Sequence, residues 1–243
     1  MLKSSHMNIL LTNDDGYNHP GLAILKEVLR KYGNVYVVAP FEHQSGKGMC
    51  FSLNKGFTVR EHDENHYSID GTPVDCVLLA VQLLDVKFDL VVSGANDGHN
   101  ISYDCLYSGT VGAAIEGLNH GIPSIAISTD FGHFDIVEKE VEKVLDYIFE
   151  HKLIDKRYCL NVNFPLKKFN QSKGIKLTRE HMKKDQYYTW KVGELIYTDR
   201  HQDLGCDEED TDVYAITHGY VSICPITNSW FHNRIYQEIS KKV

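Results

Sequence analysis

The sequence predicts an α/β protein whose mostly parallel sheet is covered by helices on both faces. Apolar runs that suit buried strands alternate with stretches of helical period through residues 7 to 131, a pattern typical of parallel strands joined by crossover helices. The 243 residues are 42% hydrophobic, which is enough to form a substantial core. Loops rich in glycine and polar residues follow several of the strands. In such folds these loops are where ligand sites form.

The elements of the first half follow from periodicity and from helix capping. Met7–Thr12 is an apolar run that predicts a buried first strand. A helix is predicted over residues 21 to 32, with Gly33 placed to end it. Thr72 and Pro73 suit the cap and first position of a second helix that runs to about residue 84. The other predicted elements are a third helix at 108–119 and strands at 34–39, 57–61, 66–69, 88–93 and 124–128.

The pattern of predicted elements changes in the second half of the chain. We predict an amphipathic helix at 135–149, strands at 158–164 and 220–224, extended hairpins within 174–200 and a terminal helix after Ser229. The acidic run 207–210 is interpreted as a solvated loop or a helix start. We therefore divide the chain into a core of residues 7–131 and a part of residues 132–243 that completes the core and adds an extension. Residues 1–6 resemble a cloning remnant and are left out of the fold prediction.

Composition excludes several classes of protein. A net charge of −8 and a pI near 5.9 disfavour binding to extended nucleic acid, which normally requires a basic surface. No apolar run approaches the ~20 residues that span a bilayer, and no secretory signal is recognisable, so we expect a cytoplasmic protein without membrane attachment. The six cysteines form no C-x-x-C pair and the thirteen histidines form no H-E-x-x-H motif. Reduced thiols are expected, and a zinc or histidine-ligated site is disfavoured.

The most informative motif is Asn13-Asp14-Asp15-Gly16, directly after the first predicted strand. Two adjacent carboxylates repel each other unless a cation neutralises them or one of them binds a proton. Hard oxygen ligands favour Mg²⁺, Mn²⁺ or Ca²⁺. The alternative is a solvated turn in which Gly16 supplies a positive φ. The motif therefore leaves two interpretations, a metal site and a structural turn.

Two further polar loops are predicted to reach the same edge of the sheet. Ser45 lies in the loop after the second strand, and Asn96 lies in the segment after the strand at 88–93. Right-handed crossovers bring the carboxyl ends of parallel strands to one edge. The oxygens of Asp14, Asp15, Ser45 and Asn96 could therefore surround one divalent ion.

The segment Ser108-Gly109-Thr110 is placed at the start of a predicted helix. Unpaired N–H groups and the helix dipole favour an anion at that position. The alternative is an ordinary Ser cap on a helix kept thin for close packing. Hydrolysis of a phosphate ester requires at least a metal site and an anion site of this kind next to each other.

Seven sequence blocks together resemble the stationary-phase survival protein SurE family, which consists of metal-dependent 5′/3′-nucleotidases. The similarity spans nearly the whole chain. Its blocks are N-D-D-G-Y at 13–17, A-P at 39–40 with S-G-x-G at 45–48, D-G-T-P-x-D-C at 70–76, S-G-A-N-x-G-x-N at 93–100, S-G-T-V-G-A-A-x-E-G at 108–117, G-I-P-S-I-A-I-S at 121–128 and, more weakly, 211–223.

The resemblance implies a Rossmann-like core and a C-terminal part that builds homodimers or homotetramers by exchanging extended segments. It also implies that Asp14, Asp15, Ser45 and Asn96 bind one divalent cation, Mg²⁺ or Mn²⁺. The residues implied to face the substrate phosphate are Asn100, Ser108, Gly109 and Thr110. Nucleoside monophosphates are the implied substrates, and some relatives resemble exopolyphosphatases.

The mechanism expected from these residues is direct attack by a metal-activated water, with Asp14 or Asp15 as the catalytic base. A covalent aspartyl-phosphate is less favoured, because phosphatases of that type resemble D-x-D and Gly16 stands at the second position after Asp14. No G-x-G-x-x-G or G-x-x-x-x-G-K-[ST] motif supports a dehydrogenase or a P-loop enzyme. The main alternative is a non-catalytic module that senses a nucleotide or phosphate.

Overall fold

A computed structural model describes residues 7–182, 185–229 and 233–241, without the side chains of residues 233 and 234. The strands in these ranges are β1 (Met7–Thr12), β2 (Gly33–Pro40), β3 (Val59–Asp63), β4 (His66–Ile69), β5 (Leu90–Asp97), β6 (Ser124–Thr129), β7 (Cys159–Asn163), β8 (Ile175–Leu177), β9 (Gln186–Val192), β10 (Leu195–His201) and β11 (Val221–Ile226). The helices are α1 (Pro20–Leu29), α2 (Pro73–Leu83), α3 (Gly109–Asn119), α4 (Phe134–Glu150), α5 (Asp212–Thr217) and α6 (Asn233–Ser240), and a 3₁₀ helix spans Ser102–Leu106.

The main sheet has the strand order β3-β4-β2-β1-β5-β6-β7-β11-β8 within the described residues. Strand β1 lies near its centre and pairs in parallel with β2 and β5. Among the described strands of this sheet, only the β3–β4 and β7–β11 pairs are antiparallel. The predicted α/β fold with a mostly parallel sheet is therefore confirmed.

Helices cover both faces of the sheet, as the alternating pattern predicted. On one face, Leu25 of α1 and Val141 of α4 belong to the largest cluster of buried apolar side chains. On the other face, Val77 of α2 and Ala113 of α3 pack with Leu10 of β1. The carboxyl ends of the central strands lie between these two layers, and the loops that follow them form the polar site described below.

Two of the differences from the predicted element boundaries have a clear physical reason. Helix α1 ends at Leu29, and Gly33 is the first residue of β2, so the prediction that Gly33 ends the helix is wrong. A Cβ at this position would lie 2.0 Å from the Met7 carbonyl oxygen, which explains why a glycine is needed. Strand β5 continues past residue 93 to Asp97, with a change of register between Ser93 and Asn96. Asn96 therefore lies at the end of a strand and not in a free loop.

The predicted extension contains an antiparallel hairpin formed by β9 and β10. Its apolar side chains are largely exposed, including Ile196 at 75%, and Trp190 stacks on Tyr197 with ring centroids 5.6 Å apart. The acidic run forms an exposed turn in which Glu208 and Asp210 pair with Arg179. None of the described helices has the length and apolar character that crossing a bilayer requires.

Candidate active site

A cavity of about 160 Å³ lies at the carboxyl edge of the central strands. Five side chains predicted from the sequence line it: Asp14, Ser45, Asn96, Asn100 and Ser108. They come from four separate segments: the loop after β1, the loop after β2, the end of β5 with the loop that follows it, and the residue before α3. Of the predicted metal ligands, Asp15 alone is absent from its lining.

The Asp14 carboxylate is 2% exposed and lies against the start of α3. The Thr110 hydroxyl donates a hydrogen bond to Asp14 Oδ1. Burial raises the pKa of Asp14, the Thr110 hydrogen bond opposes this effect, and the Asp15 charge adds to it. A buried carboxylate beside a second carboxylate is costly in its ionised form. A bound cation would remove this cost.

The Asp15 side chain is 3% exposed and is held from two sides. The backbone N–H of Asp97 donates to Asp15 Oδ2 at 3.0 Å, and His43 Nδ1 lies 3.3 Å from Oδ1. His19 Nδ1 lies 3.7 Å from Oδ2, but it accepts a hydrogen bond from the backbone N–H of Gly21. That nitrogen therefore has no proton to donate to Asp15.

The Asn96 side chain provides the strongest structural indication of a ligand site. Its Nδ2 donates to the Gly98 carbonyl oxygen at 2.7 Å. Its Oδ1 is buried, and no group in the described part of the chain forms a hydrogen bond with it. A buried acceptor without a partner costs about 1–3 kcal/mol. A divalent cation would satisfy this amide oxygen.

The chemistry of the candidate ligands fits a hard cation. The described residues contain no cluster of three or more His, Cys, Asp or Glu side chains suited to a metal ion. An ion at this site would therefore use the Ser45 hydroxyl and the Asn96 amide oxygen beside the Asp14 and Asp15 carboxylates. An all-oxygen set of this kind suits Mg²⁺ or Mn²⁺ better than softer metals.

The predicted phosphate-binding residues divide into two pairs. Asn100 and Ser108 line the cavity. Ser108 also caps α3, because its Oγ accepts a hydrogen bond from the Val111 N–H at 3.1 Å. Thr110 is fully buried and bonds to Asp14, and a Cβ on Gly109 would lie 2.9 Å from Asp14 Cβ. The second pair therefore contacts a candidate metal ligand and does not line the cavity.

Glycines allow the Ser45 loop to lie close to α3. The Gly48 N–H donates to the Tyr107 carbonyl oxygen at 2.9 Å. A Cβ on Gly112 would lie 2.4 Å from the Gly48 carbonyl oxygen. The Gln44 N–H also donates to the Asp14 carbonyl oxygen at 2.6 Å. These contacts hold the exposed Ser45 at the mouth of the cavity.

Five further residues line the cavity and were not predicted as site residues: Gly46, His99, Asp104, Tyr107 and Arg200. Asp104 and Tyr107 stand between the two motifs that supply Asn100 and Ser108, and that position in the sequence was a usable signal. Arg200 lies at the end of β10 and pairs with Asp104, and its Nη1 lies 3.3 Å from Asp185 Oδ2. A contact across 96 residues gives no local signal in one sequence.

The fold and the site together define an α/β protein with an oxygen-rich cavity at the carboxyl edge of a mostly parallel sheet. Residues 9–187 match the model of the family described as survival protein SurE, so the chain belongs to the SurE family. This confirms the family predicted from the motifs.

Curated relatives and a solved structure agree with this assignment. A protein of Mannheimia succiniciproducens named 5′-nucleotidase SurE is 41% identical, over 90% of this chain and 92% of its own length. The protein of the same name from Aquifex aeolicus is 40% identical, over 89% of this chain and 90% of its own length. A crystal structure of SurE from Aquifex aeolicus matches with a TM-score of 0.83 at 35% identity, and the match covers 97% of this chain and 99% of that one.

Proposed function

We propose that this protein is a metal-dependent phosphomonoesterase that hydrolyses nucleoside monophosphates to nucleoside and phosphate, a 5′/3′-nucleotidase. The observation that carries the proposal is the convergence, in one cavity, of the buried Asp14 carboxylate, the unpaired Asn96 Oδ1 and Ser108 at the N-terminus of α3. The relatives that bear the name 5′-nucleotidase SurE at about 40% identity support it. Exopolyphosphatase activity is proposed as a side reaction.

In this proposal Asp14, Asp15, Ser45 and Asn96 hold one divalent cation, Mg²⁺ or Mn²⁺. Such an ion, when bound, lowers the pKa of a coordinated water and stabilises negative charge on a phosphoryl group. The hydrogen bond from Thr110 and the packing of Gly109 fix the Asp14 carboxylate in place. A fixed carboxylate needs little reorganisation during the reaction, which favours catalysis.

Side chains of the protein bind the phosphate and accept the proton in the remaining steps. Asn100 and Ser108 bind the phosphate oxygens, helped by the positive N-terminal end of the α3 helix dipole. Asp14 or Asp15 takes the proton of the attacking water. A water nucleophile is preferred to Asp14 itself, because that carboxylate is 2% exposed and one of its oxygens already accepts from Thr110.

The first prediction concerns the phosphate side of the cavity. Ser108→Ala and Asn100→Ala each remove a group that we propose binds a charged substrate. Such a hydrogen bond is worth about 1.5–3 kcal/mol, so kcat/KM should fall roughly tenfold to a hundredfold. Metal binding should be unchanged in both variants. Calorimetric titration with Mn²⁺ and steady-state kinetics measure the two effects.

A matched control is needed because Ser108→Ala also removes a helix cap, at a cost of about 1 kcal/mol. Thr211 caps α5, and its Oγ1 accepts from the Tyr214 N–H. Thr211→Ala should lower the melting temperature without changing the kinetics. If Ser108→Ala and Asn100→Ala both keep the wild-type kcat/KM, the proposed phosphate site is wrong.

The second prediction concerns assembly. We propose a homodimer or a homotetramer that forms through the extension, because the β9–β10 hairpin exposes Tyr187, Trp190 and Ile196. Exposed apolar strands of this kind tend to pair with another chain. Light scattering at micromolar concentrations should give at least twice the 27.7 kDa mass of one chain. A monomeric mass across that range would contradict the proposal.

We also propose that the protein acts in the cytoplasm on free nucleotides and not on extended nucleic acid. All six cysteines are free, which suits a reducing compartment. The net charge of −8 disfavours a polyanionic partner.

A further inference from the structure

A second, larger cavity of about 460 Å³ adjoins the catalytic cavity. The two cavities share His99 and Arg200 in their walls. Phe131, Leu166 and Leu204 also line this adjoining cavity. The candidate phosphate site and a space lined by aromatic and aliphatic side chains therefore border on the same two residues.

We propose that the adjoining cavity binds the nucleoside part of the substrate and that Phe131 is the surface on which the nucleobase stacks. This inference rests on the proposed nucleotidase function, because it gives the nucleoside, which is the leaving group of that reaction, a binding site in the adjoining cavity. It makes Phe131 a specificity-determining residue that has no part in the chemical step.

Phe131 suits this role because its ring packs against the protein on one side and is exposed on the other. The ring lies against Gly98, where a Cβ would be 3.0 Å from Phe131 Cζ. Gly98 has a φ of +129° and belongs to the same segment as Asn96 and Asn100. The Phe131 side chain nevertheless remains 72% exposed. A ring that is supported on one side and exposed on the other can accept a base by stacking.

The sizes of the two cavities favour the same assignment. Pockets that bind drug-sized ligands usually measure about 300–1,000 Å³. The catalytic cavity, at about 160 Å³, is too small for a whole nucleotide, whereas the adjoining cavity, at about 460 Å³, lies in that range. A phosphate at Asn100 and Ser108 would leave the nucleoside to extend past His99 and Arg200.

Several polar groups of the adjoining cavity already have partners within the protein. The Asp130 carboxylate accepts from the backbone N–H groups of Phe131 and Lys167, at 2.9 and 2.8 Å. Gln202 Nε2 donates to Asp104 Oδ2 at 3.1 Å, and Arg200 also pairs with Asp104. Recognition would then depend on stacking, which tolerates every base because each has a π-face. We expect all common nucleoside monophosphates to be substrates, with purines preferred for their larger stacking area.

Phe131→Ala tests the assignment with two substrates that differ only in the base, adenosine 5′-monophosphate and ribose 5-phosphate. Loss of one stacking contact should lower kcat/KM for the nucleotide about tenfold to a hundredfold. The value for ribose 5-phosphate should not change, because its phosphate and sugar are retained. Phe131→Trp should restore the preference for the nucleotide. Leu83→Ala, which removes a similarly exposed apolar side chain on α2, is the matched control and should leave both values unchanged.

Two results would overturn the inference. One is a parallel change, or no change, for both substrates in Phe131→Ala. The other is loss of the base preference in Tyr107→Ala but not in Phe131→Ala, which would place the base over the catalytic cavity. Calorimetric binding of adenosine to wild type and Phe131→Ala requires no turnover and should show weaker binding to the variant. If the wild type hydrolyses neither substrate, the proposed function fails, and adenosine binding still decides the nucleoside site.

Discussion

Asp14→Asn and Asp15→Asn should each abolish phosphomonoesterase activity, by several orders of magnitude, without unfolding the protein. Each change replaces a carboxylate by an amide of the same shape and removes one negative charge from the proposed metal site. A hard cation binds an amide oxygen more weakly than a carboxylate. The fold should survive because both residues follow β1 and contribute no apolar contact to the core.

The stability of the metal-free protein should rise slightly in Asp14→Asn. The pKa of Asp14 is raised in the fold, mainly by burial. A carboxyl group whose pKa is raised on folding stabilises the fold below its unfolded pKa, and this contribution is lost as the pH rises. At neutral pH the ionised Asp14 therefore costs stability without metal, and a neutral amide removes that cost.

The measurements are Mn²⁺-dependent phosphate release and thermal unfolding by circular dichroism with a chelator present. Asp155→Asn is the matched control, because Asp155 is a carboxylate that pairs with the exposed Arg157 and lies outside the cavity. It should keep wild-type activity. Near-native activity of both site variants at saturating metal would mean that the Asn13-Asp14-Asp15-Gly16 turn is structural only.

The second large effect is expected from Gly21→Ala, a substitution outside the cavity. A Cβ at this position in α1 would lie 2.0 Å from the Ala95 carbonyl oxygen and 3.0 Å from Phe134 Cε1. Backbone atoms must move to relieve the first contact. Overpacking of this kind typically costs about 1–3 kcal/mol, which corresponds to a fall of roughly 2–12 °C in melting temperature for a chain of this size.

Gly21→Ala should also weaken the metal site, because Ala95 precedes Asn96 in β5. We expect a higher Mn²⁺ concentration for half-maximal activity in addition to the lower melting temperature. Gly56→Ala is the control, since a Cβ there meets nothing within 4 Å. Equal melting temperatures and equal Mn²⁺ requirements for the two variants would show that the close packing of α1 on β5 does not constrain the site.

Most of the fold could be predicted because its signals are local. The apolar run of β1 and the Thr72-Pro73 start of α2 each depend on neighbouring residues, and the capping box of Thr72 and Asp75 confirms the second. The errors arose where the end of an element depends on backbone atoms that are distant in the sequence. Position 33 requires a glycine because the Met7 carbonyl oxygen lies too close for a Cβ. Strand β5 continues to Asp97 because it pairs with β6 through a change of register.

The candidate site was predictable in part for a related reason. Asp14 and Ser45 follow strands and Asn96 lies at the end of one, and the topology of a parallel sheet brings such residues together. Arg200 reaches the cavity only because the β9–β10 hairpin lies beside Asp104, and one sequence does not indicate that arrangement. The contact of Thr110 with Asp14 likewise depends on how closely α3 approaches β1, which Gly109 permits.

Phosphate release from adenosine 5′-monophosphate by the purified wild-type protein, first with a chelator and then with added Mn²⁺ or Mg²⁺, tests the central claim most directly. We predict no hydrolysis with the chelator and full recovery when the metal is restored. Equal hydrolysis with and without the chelator would contradict the metal-dependent mechanism. Binding of the nucleotide without hydrolysis at any metal concentration would show a sensing module in place of an enzyme.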